Sequence, residues 1–96
     1  MIRHIVLFQL KNAPEKQSVM NAFQTAIEAL PAVIDCIRHV EVRFNANPDE
    51  AYDIALVSEF DNLDDLRTYA THPAHVAAGK LLAPIKESRA CVDYEI

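Results

Sequence analysis

The run Met1-Ile2-Arg3-His4-Ile5-Val6-Leu7-Phe8-Gln9-Leu10 decides the fold. Strand alternation places Ile2, His4, Val6, Phe8 and Leu10 on one face, and Arg3, Ile5, Leu7 and Gln9 on the other. Both faces carry apolar side chains, so the segment reads as a central strand covered on both sides. Lys11-Asn12-Ala13-Pro14 breaks it. Pro14 suits the first turn of a helix, and Glu15 complements the dipole there. That helix is expected to run to about Leu30, with Val19, Phe23, Ala26, Ile27 and Leu30 in one apolar stripe, and to end at Pro31.

Two strands follow. Residues 37–44 set Val40, Val42 and Phe44 against His39, Glu41 and Arg43. Residues 45–50 make a turn, and residues 52–60 set Ile54, Leu56 and Phe60 against Ala55, Val57 and Glu59. Asp61 or Asn62 can cap a helix whose inner stripe is Leu63, Leu66, Tyr69 and Ala70. Pro73 disfavours helical geometry at His72 and fits the first position of a new helix. The chain therefore bends at His72, and the second segment is expected to continue to about Pro84. Residues 88–95 form the last strand, with Ala90, Val92 and Tyr94 alternating with Arg89, Cys91 and Asp93.

The order β-α-β-β-α-β is the ferredoxin-like pattern, an α+β fold with a four-stranded antiparallel sheet and helices on one face. At 96 residues the chain makes one domain, residues 1–96. A domain of this size buries only roughly two thirds of its extended-chain surface. Yet 51% of its residues are hydrophobic, and the helices cover one side of the sheet. The open sheet face is therefore expected to meet a second copy, giving a homodimer.

Composition excludes several classes. A net charge of −5 argues against a nucleic-acid partner. No apolar run approaches the roughly 18 residues that span a bilayer. The first residues read as a strand with no cleavage site, and Cys36 and Cys91 stand alone, which fits reduced, buried thiols in a cytoplasmic protein. Gly79 is the only glycine, so there is no phosphate loop or nucleophile elbow. A glycine inside a helix costs about 1 kcal/mol against alanine, so Gly79 implies close packing or room for something bound above it.

The candidate chemistry lies in Tyr69-Ala70-Thr71-His72-Pro73-Ala74-His75. His75 falls in the first turn of a helix, whose positive end keeps an imidazole neutral and fit to act as a general base. The Tyr69 hydroxyl can anchor a carbonyl oxygen. His4 is the polar member of an apolar strand face and needs a partner, either protein or ligand. With Val6, Phe8, Phe23, Ala26, Ile27, His72 and Gly79 these residues outline a pocket for a small apolar ligand carrying a few oxygens. The structural alternatives are a core histidine at His4, a core tyrosine at Tyr69 and a junction residue at His72. His72 and His75 are three apart with a helix break between them, so no metal site is expected, and no cofactor.

The opening strand, Tyr69 followed by His72-Pro73-Ala74-His75-Val76, Gly79, and the closing Val92-Asp93-Tyr94 resemble the stress-responsive A/B barrel domain (Dabb) family. The resemblance runs in order over essentially the whole chain. It implies a dimeric α+β barrel. One characterised member is a cofactor-independent polyketide cyclase that closes a ring by intramolecular aldol condensation. Position by position, its catalytic base corresponds to His75, its partnering tyrosine to Tyr69 and its first-strand pocket histidine to His4. A second pocket tyrosine on the first helix corresponds to Ala26, so the substrate does not carry over. The resemblance implies a homodimeric ligand-binding barrel. The alternative is a cyclase, lyase or isomerase of a carbonyl compound, with His75 as base and Tyr69 at the oxyanion.

Overall fold

β1 (Ile2–Leu10) lies in the middle of the sheet, as its two apolar faces require. The computed structural model describes residues 1–96. After β1 come α1 (Lys16–Glu28), a 3₁₀ turn (Leu30–Ala32), β2 (His39–Phe44), β3 (Ile54–Phe60), α2 (Leu63–Thr71), α3 (Pro73–Lys80) and β4 (Lys86–Glu95). Every strand pair is antiparallel, and the spatial order is β2-β3-β1-β4. This is the ferredoxin-like arrangement, with the second helical segment split in two.

Register explains the two faces. Ile5 stands opposite Val57 on one side and Val92 on the other, and Leu7 stands between Ala55 and Ala90. Two apolar rows therefore cross the face that carries no helix. Arg3 borders them, bonded through Nε to Glu59 at 3.0 Å and lying over the Tyr94 ring at 5.9 Å. The helix-covered face carries Val6, Val42, Leu56 and Phe60, packed with Phe23, Ile27 and Leu66 in a core of 18 buried residues. Truncating a core aromatic such as Phe23 to alanine would cost about 3–5 kcal/mol. The outer edge of β2 is not left bare. Gln24 of α1 donates to the Val42 carbonyl at 2.8 Å, and Glu28 accepts from the Val42 N–H at 3.1 Å.

Several boundaries differ from expectation, each for a local reason. α1 starts at Lys16 rather than Pro14, because the Lys16 N–H closes a turn on the Ala13 carbonyl at 3.1 Å. Pro31 lies within the 3₁₀ turn, at a first-turn position that needs no N–H. β3 starts at Ile54, and Asp53 just before it ties the loop to β1, its carboxylate accepting from the Leu10 N–H at 2.7 Å. β4 begins at Lys86, two residues early. A bulge lets it do so: Gln9 pairs with Ser88 and Leu10 with Lys86, leaving Glu87 extra. In α2 only Leu66 and Tyr69 of the expected stripe are buried; Leu63 and Ala70 are exposed. The two thiols are free, but Cys36 is only half-buried and Cys91 is exposed, because it sits on the edge strand β4.

The bend at His72 is where the proline places it. Asn62 caps α2, its side-chain oxygen accepting from the Asp65 N–H at 2.8 Å. His72 is extended (φ −63°, ψ 136°), and its Nδ1 accepts from the Ala74 N–H at 3.0 Å, capping α3 above Pro73. No helix is long and apolar enough to cross a membrane.

Candidate functional site

The β1–β4 half of the sheet and the α2–α3 junction enclose a cavity of about 340 Å³. That is at the lower end of the range for small-molecule sites, about 300–1,000 Å³. Val6, Phe8 and Leu56 line it from the sheet, and Phe23 lines it from α1. Tyr69 and Ala70 contribute from α2, and His75, Val76 and Gly79 from α3. Lys80, Lys86 and Arg89, all exposed, line its solvent side.

His75 is the third residue of α3. Its ring turns back so that Nδ1 lies 3.0 Å from the Ala70 carbonyl, an acceptor left over at the end of α2. A carbonyl can only accept, so Nδ1 carries the hydrogen and the neutral ring keeps its lone pair at Nε2. Burial pushes the His75 pKa below the usual histidine value. The charges of His4 and Arg89 push the same way, while the bond to Ala70 opposes them. The ring is therefore neutral at pH 7.

Tyr69 is wholly buried, and its hydroxyl has no hydrogen-bond partner. Burial also pushes its pKa well above the ordinary phenol value, so the hydroxyl stays protonated and able to donate. Its ring centroid stands 4.3 Å from that of His75, 5.0 Å from that of Phe60, and 6.3 Å from that of His4.

His4 has a protein partner. Its Nδ1 meets the Asp93 carboxylate at 2.5 Å, directly across from it in the β1–β4 register. Cys91 Sγ lies 3.5 Å from the same Nδ1 and 3.8 Å from the same carboxylate oxygen. These three donor atoms form the chain's one cluster of metal-ligand type, all within 4.8 Å of one another, and are the residues that could hold a divalent ion. They do not form a nucleophilic relay. That would put the thiol and the carboxylate on opposite ring nitrogens, whereas both meet Nδ1 here. Burial moreover pushes the Cys91 thiol up, away from the reactive thiolate.

Seven of the residues expected at the site line this one cavity: His4, Val6, Phe8, Phe23, Tyr69, His75 and Gly79. Three do not. Ala26 faces a separate apolar groove between α1 and α3, beside Ala74 and Leu81. Ile27 is core, 1% exposed, and the His72 ring is occupied in capping α3. Of the two readings of Gly79, the open one holds: a Cβ there would meet nothing within 4 Å. Sequence reasoning missed Asp93, Cys91 and Arg89 of β4, together with Lys80 and Lys86. One signal was present, since alternation puts Arg89, Cys91 and Asp93 on the strand face shared with His4.

The family model for the Stress Responsive A/B Barrel Domain matches residues 2–96. A dimeric protein of unknown function with a ferredoxin-like fold, from Bacteroides fragilis, is 64% identical and superposes with a TM-score of 0.97 over 99% of this chain and 95% of its own. A dimeric ferredoxin-like protein from Thermobifida fusca is 31% identical, with a TM-score of 0.82 over 99% of this chain and 90% of its own. The olivetolic acid cyclase of Cannabis sativa is 22% identical over 97% of this chain and 94% of its own.

Proposed function

The chain belongs to the stress responsive A/B barrel domain family, and on that premise we propose that it is a homodimeric small-molecule-binding protein whose cavity transfers a proton on a carbonyl compound. The observation that carries this reading is Tyr69: the residue lines the cavity, and its hydroxyl is buried without a partner. An unpaired buried hydroxyl costs about 1–3 kcal/mol, a cost that a ligand oxygen accepting its hydrogen bond would offset.

The chemistry follows from the His75 tautomer and the protonated Tyr69 hydroxyl. His75 Nε2 takes a proton from the carbon next to the carbonyl. The electron pair of that C–H bond forms the enolate double bond, and the carbonyl π pair moves onto oxygen. Tyr69 donates a hydrogen bond to that oxygen as its charge grows. The enolate carbon then attacks a second carbonyl in the same ligand, whose π pair moves onto its oxygen and takes the proton back from the imidazolium, as in a cyclase, or the carbon itself is reprotonated by the imidazolium, as in an isomerase. The olivetolic acid cyclase relative carries a cyclase name, which favours the first course. The homodimer rests on the two dimeric relatives and on the apolar rows around Ile5 and Leu7 on the open face.

The test is exchange of α-protons for deuterium in D₂O, followed by NMR over a panel of methyl ketones and β-diketones. The wild type should speed exchange of at least one compound. His75→Ala should slow it about 100-fold or more, and Tyr69→Phe about 100-fold. A wild type no faster than buffer across the panel would sink the catalytic reading, as would a His75→Ala variant that keeps the wild-type rate.

A further inference from the structure

The protein carries nine lysines and arginines against a net charge of −5. Five of the nine are ion-paired: Arg3 with Glu59, Lys16 with Asp53, Arg38 with Asp61, Arg43 with Glu41 and Arg67 with Asp64. The unpaired four are Lys11, Lys80, Lys86 and Arg89, and the last three all line the cavity. No aspartate or glutamate lines it. Asp93, the carboxylate nearest by register, is engaged by His4.

The placement of Arg89 is a separate observation. It stands directly opposite Phe8, on the sheet face that the helices cover. Elsewhere on that face the positions of β1 and β3 are apolar, apart from His4, which is paired with Asp93, and the neutral Ser58 hydroxyl. Its guanidinium has no carboxylate partner there; the protein group it meets is the neutral Cys91 thiol, and like charges gathered at one place repel one another. Lys86 reaches the same place because the bulge at Glu87 brings it opposite Leu10, and Lys80 does so from the last turn of α3. Two elements, α3 and β4, thus converge three cations without a carboxylate partner on one small apolar cavity.

We infer that the ligand of this cavity is an organic anion: an apolar body against Val6, Phe8 and Phe23, with a carboxylate-like group held by Lys80, Lys86 and Arg89. This rests on reading the cavity as the ligand site, and it adds the ligand's charge to that reading. Arg89 can hold two oxygens of such a group at once, and the two lysines supply charge.

Two fluorescent probes with the same ring system test it: 8-anilinonaphthalene-1-sulfonate, an anion, and N-phenyl-1-naphthylamine, its neutral counterpart. Affinities are measured by titration at about 10 mM and about 300 mM salt, concentrations that bracket strong and weak screening. The anionic probe should bind about tenfold more tightly at low salt, with the gap narrowing at high salt. The exposed triple substitution Lys80→Gln, Lys86→Gln, Arg89→Gln should abolish the gap and leave the neutral probe within about twofold. Gly79→Phe, which fills the cavity, should abolish binding of both probes, and a thermal melt checks that each variant is folded. Equal affinity of the two probes for the wild type overturns the anion inference and leaves the cavity reading standing. A preference that survives the triple substitution, or a Gly79→Phe variant that still binds the anion, also overturns it. If neither probe binds the wild type, the cavity reading falls and takes the inference with it.

Discussion

The rings of Tyr69 and His75 lie 4.3 Å apart, centroid to centroid, and bring opposite hydrogen-bonding states to one cavity. Tyr69 offers a hydrogen that no protein atom accepts. His75 has committed its hydrogen to Ala70 and offers a lone pair. One side chain lacks an acceptor and the other lacks a donor, so a ligand with a carbonyl and an acidic C–H would answer both.

Tyr69→Phe should therefore make the protein more stable and less capable. Removing a buried, unpaired hydroxyl should add about 1 kcal/mol, or about 5 °C in Tm. Ser58 is the control. Its hydroxyl is also buried and unpaired, yet it does not line the cavity. Ser58→Ala should raise Tm without changing proton exchange. Melting curves and the exchange assay together check the pair, and a Tyr69→Phe variant that melts lower than wild type contradicts the account.

Stability should fall with acid in a way that depends on His75. Its folded pKa lies below the unfolded value of about 6.5, so the unfolded chain binds the proton more readily. Above that pH both states are neutral and nothing is lost. As pH falls from there towards the lower folded value, stability drops, and it levels off below it. His75→Gln should flatten this part of the profile, measured by denaturant unfolding at a series of pH values. An unaltered profile in the variant would assign the acid loss to other groups.

Leu7→Asp on the open face should separate the proposed homodimer. Leu7 sits between Ala55 and Ala90, so a carboxylate there would lie in the middle of an apolar seam. Light scattering coupled to gel filtration should show the mass falling by half. A variant that keeps the dimer mass would move the interface elsewhere.

Gly79→Ala should stabilise by up to about 1 kcal/mol, since alanine is the better helix former and the methyl meets nothing within 4 Å. A lower Tm would show that the space above the helix does not admit a methyl group.

Local patterning made some of this legible in the sequence, and long-range register hid the rest. The two apolar faces of β1 announced a central strand because alternation is a property of neighbouring residues. The break at His72 was equally local, set by Pro73. That His4 needed a partner followed from its place on an apolar face. That the partner is Asp93 did not, because it depends on how β1 and β4 pair across 89 residues of sequence. Ala26 and Phe23 share one stripe on paper. On the folded helix Phe23 meets Phe8 of the sheet while Ala26 lies in the groove towards α3. A one-dimensional pattern does not divide a stripe that wide.

The pairing of β1 with β4 has a consequence in time. While β4 is still unmade, a growing chain holds β1 with one edge unpaired and His4 without its carboxylate. α1, the β2–β3 hairpin and the α2–α3 segment can all form earlier, since their contacts are nearer in sequence. The cavity closes only when the two strands farthest apart in sequence meet, and contacts of such long separation form slowly. Binding competence should then appear late in refolding, after most helical signal has returned, and Asp93 should belong to the final step.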